Sequence, residues 1–200
     1  LRFSEKIKNK NYMDPSFYIQ SEISIKRFKK DKRINMPGCD IAYQVEEKDS
    51  GKLYAAKVIN CGDDEELSDK IIENNFKVMM NIKHPTIVKL FGYSRLDFHE
   101  EYNATIIMEL AKNGSFADVI KNIQKSNIPE GYSNTSRQIL LIGIAKGMKY
   151  LHEHNIIHKN LKAANILLDD KFQPRITDFL MPEFSEGGHL SIQTQYNSSI

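Results

Sequence analysis

Two hundred residues with 40% hydrophobic content are enough for one domain, or for two small lobes, with a real core. The 28 basic and 26 acidic side chains leave a formal net charge of +2, so bulk charge favours neither nucleic acid nor a membrane surface as a partner. Cys39 and Cys61 are too few and too isolated for a disulfide framework or a metal cluster, which is typical of a reducing compartment.

The hydropathy of the chain gives no sign of membrane insertion. No apolar run approaches the roughly 20 residues that a membrane-spanning helix needs. The first residues lack the apolar core of a signal peptide. We therefore expect a cytoplasmic protein without a membrane span.

The first part of the chain predicts strands. Residues 1–25 show no sustained period and form a predicted lead-in. The basic run IKRFKKDKR (25–33) is typical of a solvated strand edge; a nucleic-acid patch is the alternative, which we set aside. The segment AYQVEEKDSGKLYAAKVI (42–59) places two strand-like runs around residues 49–51, Asp-Ser-Gly, and so predicts a hairpin.

The next segment has a helical period from Asp63 to Lys83. The runs TIVKLFGY (86–93) and ATIIMEL (104–110) are rich in β-branched and apolar residues and predict further strands. The residues that share one stripe of the predicted helix are Leu67, Ile71, Asn75, Met79 and Ile82.

The second half of the chain predicts helices. FADVIKNIQK (116–125) is one, and a longer helix runs from about Ser136 to His154. NILL (165–168) and PRIT (174–177) then predict a short hairpin. A strand-rich half followed by a helical half indicates the α+β class. The buried stripe of the longer helix consists of Leu140, Ile144, Met148 and Leu151.

In this order the segments resemble the protein kinase domain from about residue 26 onward. The motifs that carry the resemblance are YAAKVI with Lys57, NIKHPTIVKLFGY, IIMELAKNGSFADVI, GIAKGMKYLHEHNIIHKNLKAANILLDD and ITDF. Lys162 follows the catalytic loop where tyrosine kinases more often carry alanine, so the chain is similar to the tyrosine-kinase-like serine/threonine branch.

The resemblance implies a bilobal fold and a set of boundaries. An antiparallel-sheet N-lobe would span residues 26–107 and a hinge residues 108–112. Residues 113–200 would form a helical C-lobe that is truncated inside the activation segment, before any Ala-Pro-Glu motif. The implied cofactors are ATP and Mg²⁺.

The catalytic loop departs from the family pattern at Asn160. The family has an aspartate there, which accepts the proton of the substrate hydroxyl. A carboxamide has no useful basicity near neutral pH. General bases typically contribute about 10²–10⁴-fold, so the change removes about 3–5 kcal/mol of transition-state stabilisation. Lys162 is retained two residues further on.

The phosphate-binding loop has lost its glycines. Counting back from Lys57, the three glycine positions are Asn35, Pro37 and Asp40. Proline lacks an amide hydrogen, and an aspartate brings negative charge toward the phosphates. Gly38 is one place out of register, and a shifted loop that uses it is the alternative.

The helix position that carries a glutamate in the family is Asn75, counting back from His84. Glu73 cannot replace it, because two residues along a helix turn the side chain by about 200°. Lys57 is therefore predicted to lack its ionic partner, the helix glutamate of the family. A lysine whose side chain extends outward from an amphipathic strand is the alternative to a phosphate-facing Lys57.

The magnesium segment is Asp178-Phe179-Leu180, where the family has Asp-Phe-Gly. By resemblance, Asp178 and Asn165 would be the magnesium ligands. Taken alone, without the resemblance, both residues fit turn or capping roles better. Leu180 in place of glycine should restrict the flip of this segment, since a non-glycine residue visits positive φ at about 1–2 kcal/mol.

The resemblance also places the adenine site and the packing columns between the lobes. Met108 would be the gatekeeper, and Glu109 to Ala111 the hinge backbone that meets adenine. His158 fits a packing role. The positions of the two columns are Met79, Leu90, His158 and Phe179 in one, and Ala42, Ala55 and Leu167 in the other.

Three functions remain open at this stage. The favoured one is a pseudokinase that acts as a protein-interaction or allosteric module, with ATP binding weak or lost and a protein as its partner. The second is a weakly active ATP-dependent serine/threonine kinase. The third is a truncated, partly folded kinase fragment.

Overall fold

The computed structural model describes residues 21–34 and 41–179, together with the backbone of residues 183–184 and 190–191. Its first half is built on a five-stranded antiparallel sheet with the order β1-β2-β3-β5-β4. The strands are β1 (Phe28–Arg33), β2 (Ile41–Glu47), β3 (Leu53–Val58), β4 (Leu90–Ser94) and β5 (Thr105–Glu109).

The predicted hairpin around residues 49–51 is confirmed. β2 and β3 pair with Tyr43 opposite Ala56, and Gly51 takes a φ of 67° at the turn, which glycine adopts without steric strain. β1 lies at the edge of the sheet and exposes five of its six residues. The basic run is therefore a solvated strand edge, as its pattern indicates.

The helix predicted over residues 63–83 is shorter and irregular in its middle. It begins after Asp64, whose side chain accepts a hydrogen bond from Leu67 N at 3.0 Å. Ile71 and Met79 of the predicted stripe are buried, while Leu67 lies at the margin of the core. The consecutive segments are α1 (Glu65–Ile71), a π-helical segment (Ile72–Phe76) and α2 (Lys77–Met79).

The strand predicted over residues 86–93 begins only at Leu90. Residues 86–88 instead pair with the second half of the chain, where Val88 N donates to Ile176 O at 2.9 Å and Ile176 N donates to Thr86 O at 2.8 Å. These two hydrogen bonds connect the half that contains the sheet to the helical half. The strand predicted over residues 104–110 is confirmed as β5.

The helical half contains both predicted helices and the predicted hairpin. Ser115 and Ser133 cap the two helices, each in a capping box. β6 and β7 pair in an antiparallel hairpin. The sheet followed by helices confirms the α+β class and the kinase-like fold. The elements are α3 (Phe116–Gln124), α4 (Asn134–Glu153), β6 (Ile166–Leu168), β7 (Pro174–Ile176), β8 (Glu183–Phe184) and β9 (Leu190–Ser191).

Each face of the sheet carries an apolar cluster. The inner core joins the sheet to α1, α2 and the helical half and includes Ala55, Phe76 and Leu140. The outer cluster includes Val45 and Ile107. Within the described residues, no helix combines the length and the apolar character that a membrane crossing requires.

The end of the predicted lead-in packs against the sheet. Ile23 N donates to Tyr93 O on β4 at 2.8 Å. Arg95, just past β4, pairs with Glu22 at 3.0 Å and also with Asp69 on α1. Residues 21–25 therefore connect the outer strand β4 to the helix beside it.

Candidate functional site

β3 places Lys57 near the centre of the sheet, opposite Ala42 on β2 and Ile106 on β5. Its side chain is fully buried, and its Nζ lies 2.8 Å from Oδ1 of Asp178, which follows β7 and is also buried. This buried ion pair links the sheet to the helical half. The sequence did not indicate this partner, which comes from the segment after β7 and not from the helix beside the sheet.

The helix beside the sheet offers Lys57 no carboxylate. Asn75 is half-buried in the π-helical segment, at the position where the family pattern has a glutamate. The side chain of Glu73 is exposed and pairs with Lys77 one turn further along. In the described part of the chain, Asp178 is the carboxylate within ion-pair distance of Lys57.

The segment after α4 buries His158 and Asn165 and exposes Lys159, Asn160 and Lys162. Lys159 has a φ of 61°, and Asn160 N donates to His158 O at 2.7 Å, so the chain turns sharply. Asn165 is fully buried and its Nδ2 donates to Asn160 O at 2.7 Å. The turn presents the carboxamide of Asn160, and next to it Lys162, to solvent on a fixed backbone.

Two buried oxygen atoms at this site have no hydrogen-bond partner among the described residues: Asn165 Oδ1 and Asp178 Oδ2. Thr177 N donates to Asn165 O at 3.0 Å and so joins the two segments. Amide and carboxylate oxygens are the hard ligands that Mg²⁺ takes, so these residues fit the metal. The described residues hold no group of three or more His, Cys, Asp or Glu side chains that fits a metal ion, so the nucleotide and water would supply most of its ligands.

His158 and Phe179 lie inside the molecule. Burial lowers the pKa of the His158 imidazole, although the Thr177 backbone and the Asp178 carboxylate act in the opposite direction. The ring of His158 meets Phe179 edge-on, with 6.3 Å between centroids. Phe179 is fully buried in the inner core with Met79, and Leu90 packs at its margin. All four members of the first predicted column are therefore buried or half-buried.

The residues predicted to surround adenine belong to the same inner core. Ala42, Ala55, Met108 and Leu167 are all buried members of it. Ala55 faces Met108 across the β3–β5 ladder. Leu167 lies on β6, which forms an isolated bridge with Ser115 just after the hinge. Sheet and helical half therefore both contribute to one apolar surface beside Lys57.

The hinge is held by contacts that the sequence did not indicate. Glu109 and Ala111 are half-buried, and Glu109 N donates to Lys89 O at 2.9 Å. Arg175 on β7 pairs with Glu109 at 3.3 Å and with Asp169 at 2.9 Å. No spacing rule relates Arg175 to a glutamate 66 positions earlier, so sequence periodicity could not have found this contact.

Several predicted positions lie outside the described residues. They are Asn35, Pro37, Gly38 and Asp40 of the phosphate-binding loop, and Leu180 of the magnesium segment. Ala42, the next position of the loop motif, is described and is 1% exposed.

The comparison with curated proteins gives relatives that are kinases by name. Receptor-like protein kinase 7 of Arabidopsis thaliana is 31% identical over 171 residues, 78% of this chain. Serine/threonine-protein kinase pakF of Dictyostelium discoideum is 31% identical over 145 residues, 72% of this chain. Mitogen-activated protein kinase kinase kinase 2 of Arabidopsis thaliana is 30% identical over 159 residues, 76% of this chain.

These relatives are much longer than the region they share with the chain. The matched regions span 17%, 11% and 23% of their respective lengths. The family model described as "Protein kinase domain" matches residues 38–196, which is most of the chain. This match covers the buried lysine, the asparagine turn and the Asp178 segment in one run. The chain therefore belongs to the protein kinase domain family.

Proposed function

We propose that this chain is a catalytically impaired kinase domain, a pseudokinase, that acts as a protein-interaction or allosteric module with weak or no ATP binding. The observation that carries the proposal is the exposed carboxamide of Asn160 at the position of the family's proton acceptor. It can orient a hydroxyl but cannot collect its proton near neutral pH. The lost contribution is about 10²–10⁴-fold.

The position of Lys57 supports the same proposal. In an active kinase the strand lysine is held on the phosphates by a helix glutamate. Here position 75 is an asparagine, and Lys57 is engaged by Asp178 instead. Two separate steps of phosphoryl transfer, proton removal and phosphate positioning, are therefore weakened by different residues.

A function through protein contacts is supported by apolar side chains on the helical half. Ile128 and Ile157 are 64% and 60% exposed. Where exposed apolar side chains lie together, they favour contact with further polypeptide. The others with more than a third of their surface exposed on this half are Ile120, Ile123, Ile139, Leu141, Ile142 and Leu161.

A weakly active serine/threonine kinase is the second candidate. Lys57 and Asp178 are in contact, and the buried oxygen of Asn165 fits a metal. Phosphoryl transfer depends mainly on positioning and electrostatics, so these groups support a reduced rate without a general base. Two relatives are named as kinases, Serine/threonine-protein kinase pakF and Mitogen-activated protein kinase kinase kinase 2, and this supports the candidate.

A phosphotransfer assay separates the two candidates. The wild-type protein and Lys57→Met are incubated with radiolabelled ATP, Mg²⁺ and generic protein substrates, and autophosphorylation is followed in the same lanes. We expect both proteins to give background incorporation. Incorporation above background that disappears in Lys57→Met would establish the second candidate, even at a rate below the ordinary kinase range of about 1–100 s⁻¹, and would reject the first.

A further inference from the structure

The outer edge of the sheet at β4 is covered by residues 21–24, which we call the strap. β4 is the last strand in the sheet order, so its outer edge has no ladder partner among the described strands. Glu22 bridges Tyr93 in parallel register, and Ile23 N donates to Tyr93 O at 2.8 Å. Extended peptides bind sheet edges through main-chain hydrogen bonds of this kind. The strap therefore occupies β4 in the way that a docked peptide would.

Gly92 on β4 leaves room for the strap. A Cβ at this position would lie 2.8 Å from Ser21 O and 2.9 Å from Ile23 Cδ1. The φ of Gly92 lies outside the left-handed region, so its backbone conformation is open to other residues. The close approach of the strap, and not the geometry of the strand, therefore explains the glycine.

Arg95 joins the strap to α1. Its Nε pairs with Glu22 at 3.0 Å, and another nitrogen of the same guanidinium pairs with Asp69 on α1. Ser68, a fully buried residue of α1, donates from its Oγ to Arg95 O at 2.9 Å. One residue therefore contacts the strap through its side chain and α1 through both its side chain and its backbone.

α1 continues directly into the π-helical segment that carries Asn75, the position where the family has a glutamate. Ile72 N, at the start of that segment, donates to Ser68 O and to Asp69 O. The two α1 residues that Arg95 contacts are thus the ones that bind the first residue of the π-helical segment. A change in how α1 is held therefore extends toward the candidate site.

We propose that the strap is a displaceable regulatory element, and that Arg95 couples its docking on β4 to the stability of α1. The inference rests on the allosteric part of the proposed function and specifies where the signal enters. A protein partner that binds residues 21–24 as an extended strand would displace them from β4 and remove Glu22 from Arg95. Water screens this ion pair, whose side chains are 43% and 39% exposed, so displacement costs little. Coupling is reciprocal, so a change in α1 also alters how firmly the strap is held.

Amide hydrogen exchange followed by NMR on the full chain, without nucleotide, tests the coupling. The Ile23 amide reports whether the strap is docked, and the amides of α1 report the local stability of the helix. Glu22→Gln removes the ion pair with Arg95 and should speed exchange of the α1 amides about two- to fivefold, the range expected from one exposed ion pair. In an Arg95→Met background, the same substitution should have no further effect on α1.

The matched control is Glu100→Gln. Glu100 pairs with Lys26 at 2.9 Å, and both side chains are exposed. This variant also removes one carboxylate from an exposed ion pair close in sequence to the strap, but it leaves Arg95 untouched. The exchange rates of the α1 amides should therefore stay at their wild-type values.

Gly92→Ala displaces the strap by a different means, because the added Cβ meets Ser21 O and Ile23. The Ile23 amide should lose protection, and the α1 amides should again exchange about two- to fivefold faster. Glu22→Gln changes only an exposed side chain, so it decides the question even where Gly92→Ala fails to fold.

Two results overturn the inference. One is an unchanged exchange rate of the α1 amides in Glu22→Gln, and the other is an equal response to Glu22→Gln with and without Arg95. Neither result involves phosphotransfer, so either one leaves the catalytically impaired interaction module standing. Incorporation of phosphate that depends on Lys57 would instead overturn the proposed function and leave the coupling of the strap to α1 in place.

Discussion

Asn165 holds the backbone of Asn160 in place, with its buried Nδ2 2.7 Å from the Asn160 carbonyl oxygen, while the Asn160 side chain stays exposed. A carboxylate can therefore replace that carboxamide without repacking the core. We expect Asn160→Asp to change the free energy of unfolding by less than about 0.5 kcal/mol. Its phosphotransfer should remain near background, because Asn75 still provides no carboxylate for Lys57.

The double variant Asn160→Asp/Asn75→Glu should exceed either single variant in phosphotransfer by about 10²-fold or more, since it restores a base and a lysine partner together. Initial rates with radiolabelled ATP give the comparison, and Asn160→Ala/Asn75→Glu is the control without a carboxylate at position 160. Full turnover in Asn160→Asp alone would show that position 75 does not limit the reaction.

The buried ion pair should make Lys57→Met costly for stability. Leaving Asp178 as a buried charge without its partner is expected to lower the free energy of unfolding by about 3–5 kcal/mol. Lys57→Met/Asp178→Asn, which removes both charges, should recover most of this loss. Urea denaturation measures all three proteins.

The matched control is Lys70→Met on α1, because Lys70 pairs with Glu66 at the surface, with side chains 53% and 79% exposed. Water screens such a pair, so the urea midpoint should move little. Equal losses in Lys57→Met and Lys70→Met would mean that the buried pair contributes no more than a surface pair.

Gly143 on α4 should tolerate no side chain. A Cβ at this position would lie 2.5 Å from Pro174 Cγ and 3.0 Å from Pro174 Cδ, and a proline ring has little freedom to move aside. Gly143→Ala is expected to lower the free energy of unfolding by about 1–3 kcal/mol, despite the higher helix propensity of alanine. Lys146→Ala, at an exposed position of the same helix, should be near neutral; thermal denaturation of both variants is the check.

We expect the free energy of unfolding to fall as the pH becomes acidic, because the imidazole of His158 is buried. Burial holds its pKa below the ordinary value of 6.5, so the unfolded chain takes up the proton first. The free energy of unfolding should therefore decrease as pH drops below about 6.5 and stop decreasing below the folded-state pKa. Burial also lowers the pKa of His84, which contributes in the same direction.

The variant that isolates this effect is His158→Phe, which keeps an aromatic ring beside Phe179 but cannot titrate. Urea denaturation at intervals between about pH 7.5 and 5 should give a shallower slope for this variant than for wild type. Parallel slopes would assign the acid sensitivity to other groups.

Local patterns predicted the elements of this fold well where residues close in sequence determine them. The hairpin at residues 49–51 follows from turn chemistry, and α4 from a stripe of apolar residues capped by Ser133. The π-helical segment left no such signal, because a wider turn inside a helix keeps the helical composition. The strand predicted from residue 86 begins only at Leu90, because Thr86 and Val88 pair with Ile176 on β7, nearly ninety positions away.

The candidate site also shows that local sequence patterns do not predict contacts between distant residues. Counting along the motif identified Asn75 as a missing carboxylate but gave no indication that Lys57 has another ionic partner. The actual partner, Asp178, is 121 positions away and becomes available only when the segment after β7 reaches the sheet. Pairing across such a distance depends on the whole fold, so spacing within one motif cannot predict it.

Arg175 joins Glu109 at the end of β5 to Asp169 in the β6–β7 turn, and also donates to Pro85 O at 2.7 Å. Of these three contacts, the one to Glu109 crosses to the sheet, so swinging the sheet away from the helices would stretch it. The Arg175–Glu109 pair therefore opposes a hinge motion of the sheet relative to the helical half.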